Sequence, residues 1–389
     1  MLSTYLRGGA GRAAVALCEA LAAYGVPVDL RTRQSRSGQK RLKAELAITS
    51  LLLNDWQDRY AFSPALFGEG SLQVGPKDVV HLHWGGQGLL DRRLYQRIVR
   101  SNPVVWTLHD AWPFTGGCHL PGDCSEIESG CAHCPMLRTP AHALGRAARS
   151  WKTAPPHIRY VAPSRWMKDQ AIRAGIRPDR IAVIPNAVRA PTVLPTRQDV
   201  QSLRATMGIE TTQSLVGFVA SDIDDPNKRF TDARTAVDLL GADVALRTVG
   251  RTGRDERMDL GEIEDLQQLS RVVAAFDVLV VTSVIENLPN VIVEAMALGV
   301  PVVAYDVGGI GDAIRDRVTG RLVPAGNVTA LSRVVQEVLN DPESASHLAE
   351  SARDWVHSSC NPDAVARDHL TVYEEASASF EEASGFSHT

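Results

Sequence analysis

The sequence holds no run of eighteen or more apolar residues, the length a helix needs to cross a bilayer, so no membrane-spanning helix is expected. It has almost no excess of charge. The 41 Lys and Arg stand against 45 Asp and Glu, a net −4, which leaves no basic field of the kind nucleic acid requires. Its opening residues, Met1 to Leu6, lack the apolar core and cleavage site of a secretory leader, so a cytoplasmic protein is expected. Internal repeats and long low-complexity segments are absent as well. Cysteine is scarce and uneven: Cys18 and Cys360 stand alone, while Cys118, Cys124, Cys131 and Cys134 fall within seventeen residues. In a reducing compartment such a cluster favours metal over disulfides.

What is present is ordinary for a globular chain, 44% hydrophobic and 22% charged, and 389 residues suit two α/β domains. Short apolar runs alternate with amphipathic stretches, the pattern of βαβ units. In the first half, Val26–Leu30, Val79–His83, Val104–Leu108 and Tyr160–Pro163 read as strands, and Ala13–Tyr24 and Lys43–Tyr60 as helices. Two strands end in histidine, His83 and His109, at the carboxyl end where open α/β sheets place ligands. A break falls near Ile184-Pro185-Asn186-Ala187. The alternation then restarts with strands at Val216–Ala220, Ala245–Val249, Val278–Thr282 and Val302–Tyr305, and closes with helices at Ala330–Leu339 and Glu343–His357. The predicted domains are therefore 1–185 and 186–375, with a frayed Glu/Ser/Ala-rich tail over 376–389.

The sharpest site lies beyond the strand at Val278. A loop through Glu286-Asn287-Leu288-Pro289 leads to Asn290, which can cap a helix that Gly299 stops. Such a helix start aims free backbone N–H groups at a phosphate. Glu286 and Glu294, with seven residues between them, would repel a diphosphate and are better explained as acceptors for sugar and ribose hydroxyls. A plain dipole-stabilising role is the alternative for Glu294.

The run from Glu286 to Val303 resembles the E-x7-E signature of family-4 glycosyltransferases, and Gly308-Gly309-Ile310-Gly311-Asp312 and Thr319-Gly320-Arg321-Leu322-Val323 are similar to its continuation. That resemblance implies a GT-B fold, two Rossmann-like parallel-sheet domains facing across a cleft. It implies a donor site in which Glu286 faces the sugar, Glu294 holds the ribose, and Asn287, Leu288 and Asn290 line the loop. It also puts Lys228 on the donor diphosphate, where charge builds as the glycosidic bond breaks. The family often carries an arginine just before this lysine. Here there is none, and Arg229 replaces the usual glycine as a second candidate cation.

Three further features carry two readings each. Asp222-Ile223-Asp224 spells D-x-D, a metal motif elsewhere, but Asp and Asn before Pro226 are turn formers. Gly8, Gly9 and Gly11 precede the helix at Ala13; the resemblance sets them against the donor diphosphate and sugar. With Ala14 and Asp29 they also imitate a dinucleotide fingerprint, which needs a preceding strand that seven residues hardly allow. By resemblance His109 touches the donor sugar or the reacting centre, and His83 faces the acceptor; a lone histidine is more often structural.

The cysteine spacing, C-x5-C-x6-C-x2-C, suits a structural tetrahedral zinc, with His119 or His133 able to replace one thiolate. A loop so poor in apolar residues would take its order from the metal; four reduced thiols are the plain alternative. The stretch His109 to Pro135 resembles a family-4 subgroup linked to capsule and exopolysaccharide assembly, including colanic-acid-type enzymes. The expected acceptor is therefore a polysaccharide or lipid-linked oligosaccharide, and the expected donor a UDP-, GDP- or ADP-sugar. Six cations between Arg31 and Lys43 would suit peripheral contact with anionic lipid, although a charge run is more often a solvated loop. The resemblance implies retention of configuration, with no metal needed for catalysis. The rival readings are a non-catalytic sugar-nucleotide-binding scaffold, a nucleotide-sugar epimerase and an NAD-dependent oxidoreductase.

Overall fold

The computed structural model describes every residue except 7, 34–35, 56–61, 70–71, 76–77, 154, 189–194, 255–256 and 386–389; of 36–39 and 41 only the backbone is described. It divides into two units, Met1–Ala187 with Pro362–Thr389, and Val188–Asn361.

The first unit runs β1 (Leu2–Ser3), α1 (Gly8–Ala23), β2 (Arg31–Thr32), α2 (Arg36–Leu52), β3 (Val80–Leu82), α3 (Arg92–Ser101), β4 (Val104–Thr107), α4 (His142–Thr153), β5 (Arg159–Ala162), α5 (Arg165–Arg173) and β6 (Ile181–Val183). Its parallel strands are ordered β2-β1-β3-β4-β5-β6. The second runs α6 (Arg197–Thr206), β7 (Ser214–Asp222), α7 (Phe230–Asp238), β8 (Val244–Arg251), α8 (Leu266–Ala274), β9 (Val278–Val281), α9 (Asn290–Leu298), β10 (Val302–Tyr305), α10 (Ile310–Ala313), β11 (Arg321–Val323), α11 (Val328–Asn340) and α12 (Pro342–Ser359). Its parallel order is β11-β10-β9-β7-β8. A last helix, α13 (Pro362–Ser384), belongs to the first unit.

Both are doubly wound sheets. In each, the strand order reverses beside the first strand, between β1 and β3 and between β7 and β9, and that switch point is where such sheets take ligands. Strands buried on both faces explain the near-continuous apolar runs of the sequence, such as Val278-Leu279-Val280-Val281. In the second unit one face packs Ile292, Val293 and Met296 of α9 with Val272 of α8 and Val356 of α12. The other packs Phe230 and Val237 of α7 with Leu331 and Val335 of α11.

Several expectations are corrected. The chain enters its first sheet through a two-residue β1, and the strand expected at Val26–Leu30 is instead the two-residue β2 at Arg31–Thr32. The glycines at 8, 9 and 11 form the first turn of α1 rather than a loop before it. α2 starts at Arg36, upstream of the expected Lys43, and ends at Leu52; the end expected at Tyr60 lies outside the described residues. The second unit stops at Asn361, not 375, and the tail thought frayed is helical to Ser384 because Val365, Ala366, Val372 and Ala376 have a face to cover. They pack with Leu17 and Leu21 of α1 against Val105 and Val161 of β4 and β5.

Candidate active site

In the second unit the site grows from two loops at the switch point. After β7 the chain makes a short turn through Pro226, Asn227 and Lys228, capped by the Asp225 side chain on the Asn227 amide. After β9 comes the Thr282–Pro289 loop. Asn227 ties the two: its side chain donates to the Ile285 carbonyl at 3.0 Å and accepts the Ile285 amide at 3.2 Å, while its own carbonyl takes the Val284 amide. Thr282, fully buried, donates to the carbonyls of Lys228 and Arg229 at 2.8 and 3.0 Å. This lacing brings the Lys228 ammonium against a Glu286 carboxylate oxygen, with side chains 26% and 13% exposed. At such exposure an ion pair is poorly screened, so the two charges hold each other firmly.

Glu286 is held from a third side. Gly308 lies at φ 57°, and a Cβ there would overlap the Glu286 carbonyl; the next amide, Gly309, donates to that carbonyl at 2.9 Å. Pro289, not Asn290, occupies the N-cap of α9 and offers no side-chain cap, so the helix opens with Asn290 as its first residue. Asn287 and Leu288 are buried beside this start, and Glu294 is half-buried one turn in. Gly299 ends α9 at φ 74° as expected.

Arg229 stands in the left-handed region, φ 49° and ψ 44°, the conformation a glycine would take freely. Its guanidinium pairs with the buried Asp232 at 3.1 Å, and Asp232 also accepts the Tyr305 hydroxyl at 3.0 Å. The D-x-D carboxylates serve the turn. Asp222 accepts the Asp224 amide and pairs with Arg251, and Asp224 accepts the Gly253 amide and the Thr252 hydroxyl.

In the first unit the histidines form a chain. His83 Nδ1 and His109 Nε2 are 2.9 Å apart, rings stacked with centroids at 5.2 Å. One nitrogen must donate and the other accept, so the two tautomers are set together. His83 is 3% exposed and its Nε2 is buried without a hydrogen-bond partner among the described residues. Behind them His81, 1% exposed, joins the Thr107 hydroxyl and the Tyr373 hydroxyl, each at 2.7 Å, and His369 packs its ring 5.5 Å from that of His81. Burial holds His109 and His369 down to about 4 and pushes His81 and His83 well below the ordinary imidazole range. All four are neutral at pH 7. His81, His369 and Tyr373 were missed in the sequence, where nothing local marks a partner some 290 residues away.

Gly11 has a packing reason to be glycine, since a Cβ would meet the backbone of Tyr5 and Leu6; Gly8, at φ 77°, and Gly9 face open space. Asp29 pairs with Arg31 at the surface. Arg33 lies over the Tyr5 ring and bonds its hydroxyl, so two of the six cations of the basic run serve internal contacts.

The cysteine loop has more apolar content than its sequence suggested. Trp112, Phe114 and Ile127 join the main core of the unit, and Cys118 and Cys134 pack with Leu53, Phe62 and Leu137. All six cysteines are free thiols, and among the described residues no three His, Cys, Asp or Glu side chains are gathered closely enough to hold a metal ion. His119 binds Asp110 at 3.1 Å, and the His133 ring is exposed beside Glu126.

Residues 7–190 match the profile described as Glycosyltransferase Family 4, and residues 258–355 that described as Glycosyl transferases group 1. The putative colanic acid biosynthesis glycosyl transferase WcaC of Escherichia coli is 27% identical over 241 residues, 58% of this chain and 58% of its own length. A D-inositol 3-phosphate glycosyltransferase of a Mycobacterium species is 25% identical over 352 residues, 82% of this chain and 75% of that one. Among solved structures, Anabaena HepE in complex with UDP superposes with a TM-score of 0.64 at 17% identity, covering 96% of this chain and 98% of that one. At that identity the likeness is one of fold, and the fold is GT-B. No helix among the described residues is long and apolar enough to cross a membrane. Two parallel-sheet units with a matching profile in each, over residues 7–190 and 258–355, give this chain the make-up of a glycosyltransferase of the family-4, group-1 type.

Proposed function

We propose that the chain transfers a hexosyl group from a nucleotide sugar to a saccharide or lipid-linked acceptor with retention of configuration. The observation that carries this reading is the Lys228–Glu286 pair, held at the switch point beside the start of α9. A cation and a carboxylate fixed there match the two needs of a glycosyl diphosphate: charge to receive on the phosphate, hydroxyls to hold on the sugar. Lys228 and Arg229 take the diphosphate, Glu286 and the Asn287–Asn290 loop the sugar, and Glu294 the ribose. The acceptor oxygen attacks the anomeric carbon from the face the diphosphate leaves, and its proton passes to the departing phosphate oxygen. The solved complexes of HepE with UDP and with UDP-glucose favour a uridine donor, and the WcaC relative favours an acceptor from polysaccharide assembly.

His83 and His109 fall to the acceptor and the reacting sugar. As neutral rings they donate or accept hydrogen bonds without adding charge. Nothing in this scheme uses a catalytic metal.

The test is calorimetry with a panel of UDP-, GDP- and ADP-sugars on the wild type and on Glu294→Ala. Saturable binding of one nucleotide class, weakened about tenfold or more by Glu294→Ala, is the expected result, the size following from loss of a buried hydrogen bond to the ribose. Binding without turnover, across acceptors that support related enzymes, would move the chain to the non-catalytic scaffold reading.

A further inference from the structure

We propose that His83 is a positioning residue: it donates its Nδ1–H to His109 Nε2 and so holds the proton of His109 on Nδ1. His109 can then give a hydrogen bond but not take a proton. The catalytic consequence rests on the reading that His109 serves the reacting sugar. His83 is 3% exposed and His109 is half-buried, so the first stands behind the second and acts through it.

The strands build the contact. Alternation along β3 sends His81 and His83 to one face. The pairing of His81 with Val105 sends Thr107 of β4 to that same face, the one α13 covers. β4 ends in a tight turn, in which the His109 amide donates to the Thr107 carbonyl at 3.0 Å. The turn brings His109 Nε2 to 2.9 Å from His83 Nδ1, with the rings 22° from parallel. A neutral imidazole has one N–H and one lone pair, so the contact ties the two tautomers together and allows two arrangements. His83 Nε2 decides between them, because it is buried with no partner among the described residues. A proton there would be a buried N–H without an acceptor. A proton on Nδ1 is instead given to His109, and only a bare lone pair is left inside. Buried donors without acceptors are the rarer and costlier orphans, so the proton of His83 belongs on Nδ1. His109 accepts at Nε2 and keeps its own proton on Nδ1. With its lone pair engaged it is no general base.

The His83 ring has little freedom to leave this contact. His81 lies against it with centroids 4.2 Å apart. The two nitrogens of His81 are themselves held at 2.7 Å by the Tyr373 and Thr107 hydroxyls. The orientation of His109 is thereby referred, through two rings, to a residue of α13. A fixed donor suits a transfer in which the acceptor proton leaves on the departing phosphate, since that route needs no protein base.

The experiment is a long-range proton–nitrogen correlation spectrum of full-length protein labelled at the histidine nitrogens, recorded without substrate and assigned with His83→Asn and His109→Asn. The expected result is a protonated Nδ1 and a bare Nε2 in both rings; His109 protonated at Nε2 overturns the proposal. The kinetic arm follows release of nucleoside diphosphate from the nucleotide sugar that calorimetry selects. His83→Leu is expected to mix the His109 tautomers and to lower kcat roughly tenfold with KM little changed, the scale of one lost positioning hydrogen bond. His83→Asn, which returns an N–H near the place of Nδ1, should recover most of that loss. Wild-type kcat in His83→Leu, or equal loss in the two variants, overturns the positioning role. Wild-type protein that transfers no sugar overturns the transferase reading instead, while the spectrum still decides the tautomer. Because that spectrum needs no variant to be active, a His83→Leu chain that fails to fold does not shelter the proposal.

Discussion

Lys228 and Glu286 are each other's main compensation, and removing one strands the other at low exposure. Lys228→Ala is therefore expected to lose about 1–3 kcal/mol of stability, less than a fully buried pair would, and about 10²–10³-fold in turnover. Lys228→Ala combined with Glu286→Ala should regain much of the melting temperature and none of the activity. A double variant as unstable as the single one would show that the pair is not what couples them. The buried histidines give a second prediction. His369, 3% exposed, has its proton affinity lowered from 6.5 to about 4, so between those values the unfolded chain binds a proton the folded chain does not. Stability must then rise with pH in that window and fall as pH drops from 6.5 towards 4, by up to about 1.4 kcal/mol per unit for each such residue. Urea melts from pH 4.5 to 7.5 check the slope, and His369→Leu should flatten it. At this scale the sequence was informative where chemistry is local. Glu286 and Glu294 stand out by their spacing alone, whereas Lys152 carries no neighbouring sign of the Trp112 ring and carbonyl it meets, nor His369 of the His81 ring.

Elements carry the site by fixing loops against one another. Gly308 makes one of the tightest of these contacts, because the loop before α10 presses on the Glu286 carbonyl at a backbone conformation only glycine takes freely. Gly308→Ala is expected to cost about 2–4 kcal/mol and to weaken nucleotide binding with it, read by thermal denaturation and by titration on the same sample. Equal affinity in the variant would mean that the carbonyl of Glu286 does not set the position of its side chain. The strand–loop–helix run from β9 through α9 was legible because it is contiguous and its periods change within a dozen residues. β1 and β2, at two residues each, were not: strands that short have no period, and only their pairing in the sheet defines them. The same limit hid the packing reason for Gly11, which comes from the backbone of Tyr5 and Leu6 lying against the first turn of α1.

For the molecule as a whole, the two-domain, doubly wound plan followed from the alternation of runs, and the break near Ala187 was marked by Ile184-Pro185-Asn186. The return of α13 to the first unit was not marked, since an amphipathic helix does not name the sheet it covers. Deleting residues 362–389 should therefore damage the first unit, removing the apolar cover of Val365, Val372 and their neighbours and the Tyr373 partner of His81, while sparing the second. Intrinsic fluorescence can tell them apart, because Trp355 is the single tryptophan of the second unit and the other six lie in the first. Red-shifted emission with nucleotide binding retained is the expected outcome; unchanged emission would show that α13 is dispensable. The discontinuity also orders synthesis. The β7–α12 unit is complete as soon as Asn361 has cleared the ribosome, but the sheet begun at Leu2 must wait for the helix after it. A stalled or prematurely released nascent chain would hold a finished second unit and an uncovered first sheet, a species that chaperones and proteases can recognise before it ever meets substrate.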